Sequence, residues 1–331
     1  MIEDANNVTD KISVIVPFHS LENFLTRCLN SLKNQIYKNF EVIMLANNVT
    51  DNSTEIAKKF AEEDDRFVLK QFPYKSKNIA KIRNFALQFV TGKYIAWVDG
   101  DDWVSPNFLK IQYESIKNNN ADISICRVWP NYSGKNKFSK STKCRKKLLN
   151  SEQLKQGVLT QMLINGGVTN KLFVAELAKK IKFDEYCSIF EDLEYCLKYA
   201  DMCKKAVFNN KILYIYFKRR GSLTHTTKAT KVLRRLNTMN KLLRTEDGDV
   251  QDYKIFARGL HTAICSPLMK NCEKTSYEDK TKVLFAHYLK DAIDVSKKIR
   301  MPFYKKLYVW FYYKKYKKYL KMPLFFVDDN K

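Results

Sequence analysis

Two short stretches of this 331-residue chain carry carboxylates at spacings that suit chemistry. In YIAWVDGDDW, Tyr94 to Trp103, apolar and aromatic residues give way at once to Asp99, Asp101 and Asp102. Tyr94 to Val98 reads as a buried strand, so the acidic cluster falls where a strand leaves its sheet. Asp99 and Asp101 flank Gly100, which lets the backbone bend, and the pair suits a hard divalent cation that keeps positions open for phosphate oxygens. An acidic turn that binds nothing has the same spacing. The second stretch is SIFEDLEYCLKYA, Ser188 to Ala200. Ser188 and Glu191 form a capping box, and Leu193, Cys196, Leu197 and Ala200 make a buried helical stripe, which leaves Asp192 in the first turn. The helix dipole favours an acid there without any catalytic role. It also keeps a carboxylate ionised, as a general base requires.

The elements that must position these groups alternate along the chain. KISVIVPF (11–18), FEVIMLA (40–46), RFVLKQF (66–72) and Tyr94 to Val98 read as strands. Between them lie helices at Leu21 to Gln35, from Asn52 to Glu63 with an Asn52-x-x-Glu55 capping pattern, and at Ile79 to Val90. Ser105-Pro106 opens a further helix as cap and first residue, and ADISICRVW is the next strand. Residues Asn131 to Leu149 read as a loop, Ser151 to Ile164 as a helix, and Lys211 to Phe217 as the last strand. Such alternation predicts an α/β fold, a mainly parallel sheet with helices on both faces. Ligands of such sheets sit at the carboxyl ends of the strands, where Asn47 and Asp99 to Asp102 fall.

Composition narrows the class. With 45% hydrophobic residues the chain can build a proper core. Its eight cysteines contain no C-x-x-C pair, which argues against both a disulfide framework and a zinc site, and reduced thiols in the cytoplasm are expected. The polar, acidic start MIEDANNVTD does not resemble a secretory leader, and no apolar run reaches the roughly 18 residues of a spanning helix. Net charge is +24, unevenly spread: residues 221–331 hold 24 Lys and Arg against 11 Asp and Glu, and residues 1–220 hold 35 against 24. That bias implies an anionic partner.

Taken in order, ISVIVPF, FEVIM, KIRNFALQFVTGKYIAWVDGDDW, NKLF, FED and RRGSLT resemble the family 2 glycosyltransferases, inverting sugar-nucleotide enzymes with a GT-A fold. The resemblance runs from Lys11 to about Thr224. It implies a catalytic domain at 11–225, followed by a helical region at 226–300. Departures occur at His19-Ser20, where the family has Tyr-Asn, and at Ala46 to Val49, where an Asp-Asp-Gly-Ser run is usual. The second aspartate of that run meets a uracil imide, and Asn47 offers a neutral oxygen in its place.

The resemblance also implies roles. Pro17, His19, Asn47, Arg83 and Asp99 would bind a nucleotide-sugar donor, uridine diphosphate being the expected carrier. Asp101 and Asp99 would hold Mg2+ or Mn2+, with His225 as a further candidate ligand. Asp192 would be the base, and Glu191 would serve the cap. Trp103 and Trp129 are candidates for stacking on a sugar, although core packing accounts for both. A rival reading is a degenerate GT-A domain that binds anionic glycan or nucleic acid. A sugar-phosphate nucleotidyltransferase fits less well, since PFHSLEN lacks the glycine-rich loop of that class.

The stretch 301–326, MPFYKKLYVWFYYKKYKKYLKMPLFF, is a basic aromatic segment with no acidic residue between Asp294 and Asp328. As a helix it gathers Tyr308, Val309, Tyr312, Tyr313, Tyr316, Tyr319 and Leu320 on one side and six lysines on the other. It is expected to hold the protein peripherally on the inner face of the cell membrane, tyrosines in the lipid boundary, near a lipid-linked glycan acceptor. A helix packing its aromatic side on the protein is the alternative. Nucleic acid is not the expected partner, because the aromatic side is continuous rather than interleaved with charge.

Overall fold

The computed structural model describes residues 10–131, 138, 146–160, 164, 166–185 and 191–218, with parts of 282–294 and 310–321. Four parallel strands form one half of a nine-stranded sheet: β1 (Ile12–Phe18), β2 (Phe40–Ala46), β3 (Phe67–Gln71) and β4 (Tyr94–Trp97). Every residue of β1, β2 and β4 is buried, which is why these strands read as unbroken apolar runs rather than alternating ones. Helices α1 (Glu22–Lys33), α2 (Ser53–Glu63) and α3 (Ile79–Ala86) make the crossovers. From α1, Leu25, Cys28, Leu29 and Leu32 turn inward against this half, each large apolar side chain contributing about 1.5–3 kcal/mol on burial.

The other half is mixed. β5 (Trp103–Val104), α4 (Phe108–Asn119), β6 (Ile123–Asn131), β7 (Lys146–Leu149), α5 (Ser151–Thr160), β8 (Lys171–Val174), α6 (Ala175–Ala178), α7 (Glu191–Met202) and β9 (Ala206–Phe217) follow in order. The sheet runs β3-β2-β1-β4-β8-β6-β9-β5, with β7 added on β9. β8 is antiparallel to both β4 and β6, and β5 and β7 are antiparallel to β9.

Several element ends differ from the sequence reading. The Asn52 side chain makes no cap bond; Asp51 serves instead, its Oδ1 accepting from the Ser53 amide at 3.0 Å and its Oδ2 from the Glu22 amide at 3.0 Å, so one carboxylate ties α1 to α2. Helix α4 begins at Phe108 rather than at Pro106, whose carbonyl accepts the Ile36 amide at 3.0 Å. α3 stops at Ala86 and a 3-10 turn carries the chain through Leu87–Phe89. Within the stretch read as a loop, residues 146–149 form β7.

Residues 1–185 with 191–219 make one compact unit, and 186–190 with 220–331 a second. Among the described residues no helix is long and apolar enough to cross a membrane, and Cys28, Cys126, Cys196 and Cys203 are buried free thiols.

Candidate active site

Parallel register gathers the donor-side candidates at one sheet edge. Phe18 pairs with Ala46 and Ile15 with Trp97, so the chains leaving β1, β2 and β4 emerge side by side. Those chains carry His19, Asn47 and Asp99. Pro17 stays buried inside β1, one residue before its end. His19 is exposed, and its Nδ1 lies 2.9 Å from the carbonyl oxygen of Asn47. A carbonyl only accepts, so Nδ1 carries the proton and Nε2 faces away from that bond.

Asn47 is 7% exposed. Its Nδ2 donates to the Ser76 carbonyl at 2.9 Å, while its Oδ1 is buried with no hydrogen-bond partner. A buried acceptor left unmade costs about 1–3 kcal/mol. An incoming N–H would satisfy it. Asn48 follows with φ of 48°, a left-handed conformation that asparagine tolerates.

The turn after β4 is tightly held. The Asp102 amide donates to the Asp99 carbonyl at 2.9 Å, and a Cβ on Gly100 would come within 2.9 Å of Leu21 and 3.1 Å of Phe18. Glycine is needed there for close approach, not for a left-handed backbone. Asp102 turns inward, 1% exposed, accepting the Tyr214 hydroxyl at 2.6 Å and the Phe217 amide at 2.8 Å. The same Tyr214 oxygen accepts the Asp99 amide at 3.2 Å. Burial, with the charges of Asp99 and Asp101 added, pushes the Asp102 carboxyl well up. Asp99 and Asp101 are less buried than Asp102.

Arg27 from α1 braces the other side of the turn. Its Nη2 donates to the Asp101 carbonyl at 3.0 Å, and its guanidinium lies 3.7 Å from the ring centre of Trp103 and 4.5 Å from that of Phe217. Trp103, 3% exposed, therefore packs beneath an arginine rather than facing a sugar. Trp129 lies partly buried in β6.

Arg83 joins the two acidic stretches. It projects from α3, 6% exposed, with Nη1 donating to Glu191 Oε1 at 2.7 Å and Nη2 3.9 Å from Asp99 Oδ1. Glu191, expected at a cap, instead turns its carboxylate to this arginine; Ser188 lies outside the described residues. Burial and the charge of Asp192 raise Glu191 to about 7, against the pull of Arg83. Burial likewise raises Asp99 to about 6, with Asp101 and Asp192 adding to the rise and Arg83 opposing it. Asp192 is partly exposed at the start of α7, its Oδ1 accepting the Leu193 amide at 2.8 Å. It is near enough for its charge to act on Asp99, Glu191 and Arg83 alike.

Two neighbours were given no role by the sequence: Asn84, which enters it only as half of the Arg83-Asn84 pair within KIRNFALQF, and Lys171. Asn84 donates to the Phe183 carbonyl at 2.9 Å and accepts the Phe183 amide at 2.8 Å, which pins the chain leading toward Glu191. The Arg83-Asn84 pair was its only signal. Lys171, fully buried, donates to the Gly167 carbonyl and to Asn170 Oδ1 at 3.1 Å and feels the charge of Asp192. His225 lies outside the described residues.

Asp99 and Asp101 fit a divalent cation as a partial site. Burial, with the charges of Asp101 and Asp192 added, already raises Asp99 against the pull of Arg83, and a cation beside it would favour the carboxylate. Two carboxylates also leave coordination positions for phosphate oxygens. No cluster of three or more candidate ligands occurs among the described residues.

The profile of Glycosyl transferase family 2 matches residues 13–181, just over half of the chain. Among curated proteins, the glycosyltransferase GlyA of Streptococcus pneumoniae is 30% identical over 230 residues, covering 66% of this chain and 32% of that protein. The chain thus spans well under half the length of that relative. Among solved structures, S. aureus TarS 1-349 in complex with UDP-GlcNAc superposes with a TM-score of 0.66 at 20% identity, over 94% of this chain and 91% of that one. The mannosyltransferase PcManGT of Pyrobaculum calidifontis, in complex with GDP-Man and Mn2+, superposes at 0.51 with 14% identity, over 95% and 83%. At these identities the likeness speaks for the fold.

Proposed function

We propose, for a chain that belongs to glycosyl transferase family 2, that it moves a sugar from a uridine diphosphate donor to a glycan hydroxyl with inversion at the anomeric carbon. The acceptor is a lipid-linked glycan in the synthesis of a bacterial surface polysaccharide or glycoconjugate, met at the cytoplasmic face of the membrane. The carrying observation is the ion-paired Arg83, which brings Asp99 of the strand end to Glu191 and Asp192 of a helix start.

In this reading the unpartnered Oδ1 of Asn47 accepts the imide N–H of uracil. Asp99 and Asp101 would hold Mg2+ or Mn2+, which would supply positive charge to neutralise the leaving diphosphate. With so good a leaving group no general acid is needed. Asp192 takes the acceptor hydroxyl's proton as that oxygen attacks the anomeric carbon opposite the diphosphate, and the C–O bond breaks with its electrons going to phosphate. Arg83, turned inward, acts by fixing Asp99 and Glu191. A nucleotide complex of TarS and a Mn2+ complex of PcManGT support a nucleotide-sugar donor and a divalent metal.

Thermal stabilisation tests the reading. UDP with Mn2+ should raise the melting temperature, by the equivalent of about 2.7 kcal/mol at a hundredfold excess over Kd. Asp101→Ala should lose the metal-dependent part while melting normally without ligand. No stabilisation by any nucleoside diphosphate would point instead to a domain that only binds anionic glycan or nucleic acid.

A further inference from the structure

In the second unit the chain is helical at Trp310, Phe311 and 313–316 and continues as a 3-10 helix through Lys317–Lys321. Exposure along it sorts by residue type. Tyr313, Tyr316, Tyr319 and Leu320 are half-buried, whereas Lys314, Lys315, Lys317, Lys318 and Lys321 are exposed. Lys282 lies 5.6 Å from the Tyr319 ring centre, so part of this unit reaches over the tyrosine side. Tyr313, Tyr316 and Tyr319 are thus partly covered, while Tyr308 and Tyr312, from the same expected lipid-facing side, lie outside the described residues.

Two aromatic side chains stand on the lysine side instead. Trp310 is 47% exposed and Phe311 63%, both among the few large hydrophobic residues that are exposed in the described chain. At 3.6 residues per turn Trp310, Lys314, Phe311 and Lys315 fall within less than half a turn of one another, and the Lys314 ammonium sits 3.9 Å from the Trp310 ring centre. The exposed side thus combines an aromatic pair with a row of ammonium groups, in a stretch whose sequence has no acidic residue between Asp294 and Asp328.

We infer that this Trp310–Phe311–lysine face docks on an anionic lipid bilayer, with the aromatic pair in the headgroup boundary and the lysines against acidic headgroups. The choice of partner rests on residue type. Lysine is depleted from the cores of protein interfaces, while tryptophan and lysine suit the edge of a membrane. Single-stranded nucleic acid would need successive stacking platforms along a basic groove, whereas the large exposed rings among the described residues of this stretch are the adjacent Trp310 and Phe311. The inference rests on the proposed lipid-linked acceptor only for the surface's purpose, because vesicle binding and nucleotide stabilisation are read separately.

The test is sedimentation of the full chain with phosphatidylcholine vesicles, with and without phosphatidylglycerol. Binding should need the anionic lipid and be released by high salt. Lys314→Gln, Lys315→Gln and Lys318→Gln together should weaken it about a hundredfold. Trp310→Ser with Phe311→Ser should weaken it further, and quenching of tryptophan emission by brominated lipid should be lost with Trp310. Stabilisation by UDP and Mn2+ should be the same in all of these variants. Equal partition of the triple-lysine variant and the parent, or equal binding to neutral and anionic vesicles, would overturn the inference. So would tighter binding to single-stranded DNA than to anionic vesicles, or binding that Tyr316→Ser abolishes and the lysine and aromatic changes spare.

Discussion

The two acidic sites are held in place by different means. Asp99 and Asp101 sit at the end of a four-residue strand whose register with β1 is fixed by buried backbone pairing, and the turn beyond is closed by its own hydrogen bonds. Glu191 and Asp192 have no such frame. They begin a helix, and side chains of α3 reach across to place them: Arg83 holds Glu191, and Asn84 holds the chain at Phe183. The first site is positioned by the sheet, the second by two side chains. Damage to the sheet edge should therefore act on donor and metal binding, and damage around α3 should act on the second site and on stability.

The largest effect should come from the base. Asp192→Asn keeps the shape and the bond to the Leu193 amide but cannot take a proton, so transfer should fall about 10²–10⁴-fold. Stabilisation by UDP and Mn2+ should barely change. A variant with near-normal transfer, beside a dead Glu191→Gln, would exchange the roles of the two residues.

Next is the link itself. Arg83→Met leaves Glu191 and Asp99 without their cation in a poorly solvated place, and removing one partner of a buried pair costs about 3–5 kcal/mol. Denaturant melts should show that loss, and adding Glu191→Gln should recover much of it. If the double variant were as unstable as the sum of the two singles, the arginine would matter through packing alone.

The smallest effect is on pH dependence. The folded protein raises Asp99 to about 6 and Glu191 to about 7, above the ordinary 3.8 and 4.5, so it holds protons that the unfolded chain has released. Stability in the absence of metal should then fall as pH rises from about 4 to 7 and level off above. Asp10, Glu41, Asp51 and Asp64 are shifted down and act oppositely, but only below about pH 5. Melting temperatures in chelator should show the decline, and Asp99→Asn should make it shallower.

The same division governs what the sequence disclosed. β1, β2 and β4 were legible because strands buried on both faces must be apolar throughout, and their ends placed Asn47 and Asp99 correctly at one edge. β5 and β7 were not, since two residues, or four mostly exposed ones, give neither a period nor an apolar run to read. The cap at Asn52 was misread because asparagine and aspartate both suit a helix start, and only distance showed that Asp51 reaches the amides. Arg27, Asn84 and Tyr214 act on partners far along the chain, from 74 residues for Arg27 and Asp101 to 115 for Tyr214 and Asp99. No local pattern announces such a bond.

The Asn47 amide has a consequence for how freely this position can change. The Ser76 carbonyl, which only accepts, dictates which end of the amide points where. An aspartate at this position would set an anionic oxygen against that carbonyl. Asn47→Asp alone should therefore cost stability, and a compensating change is expected in the stretch around Ser76 rather than at residue 47.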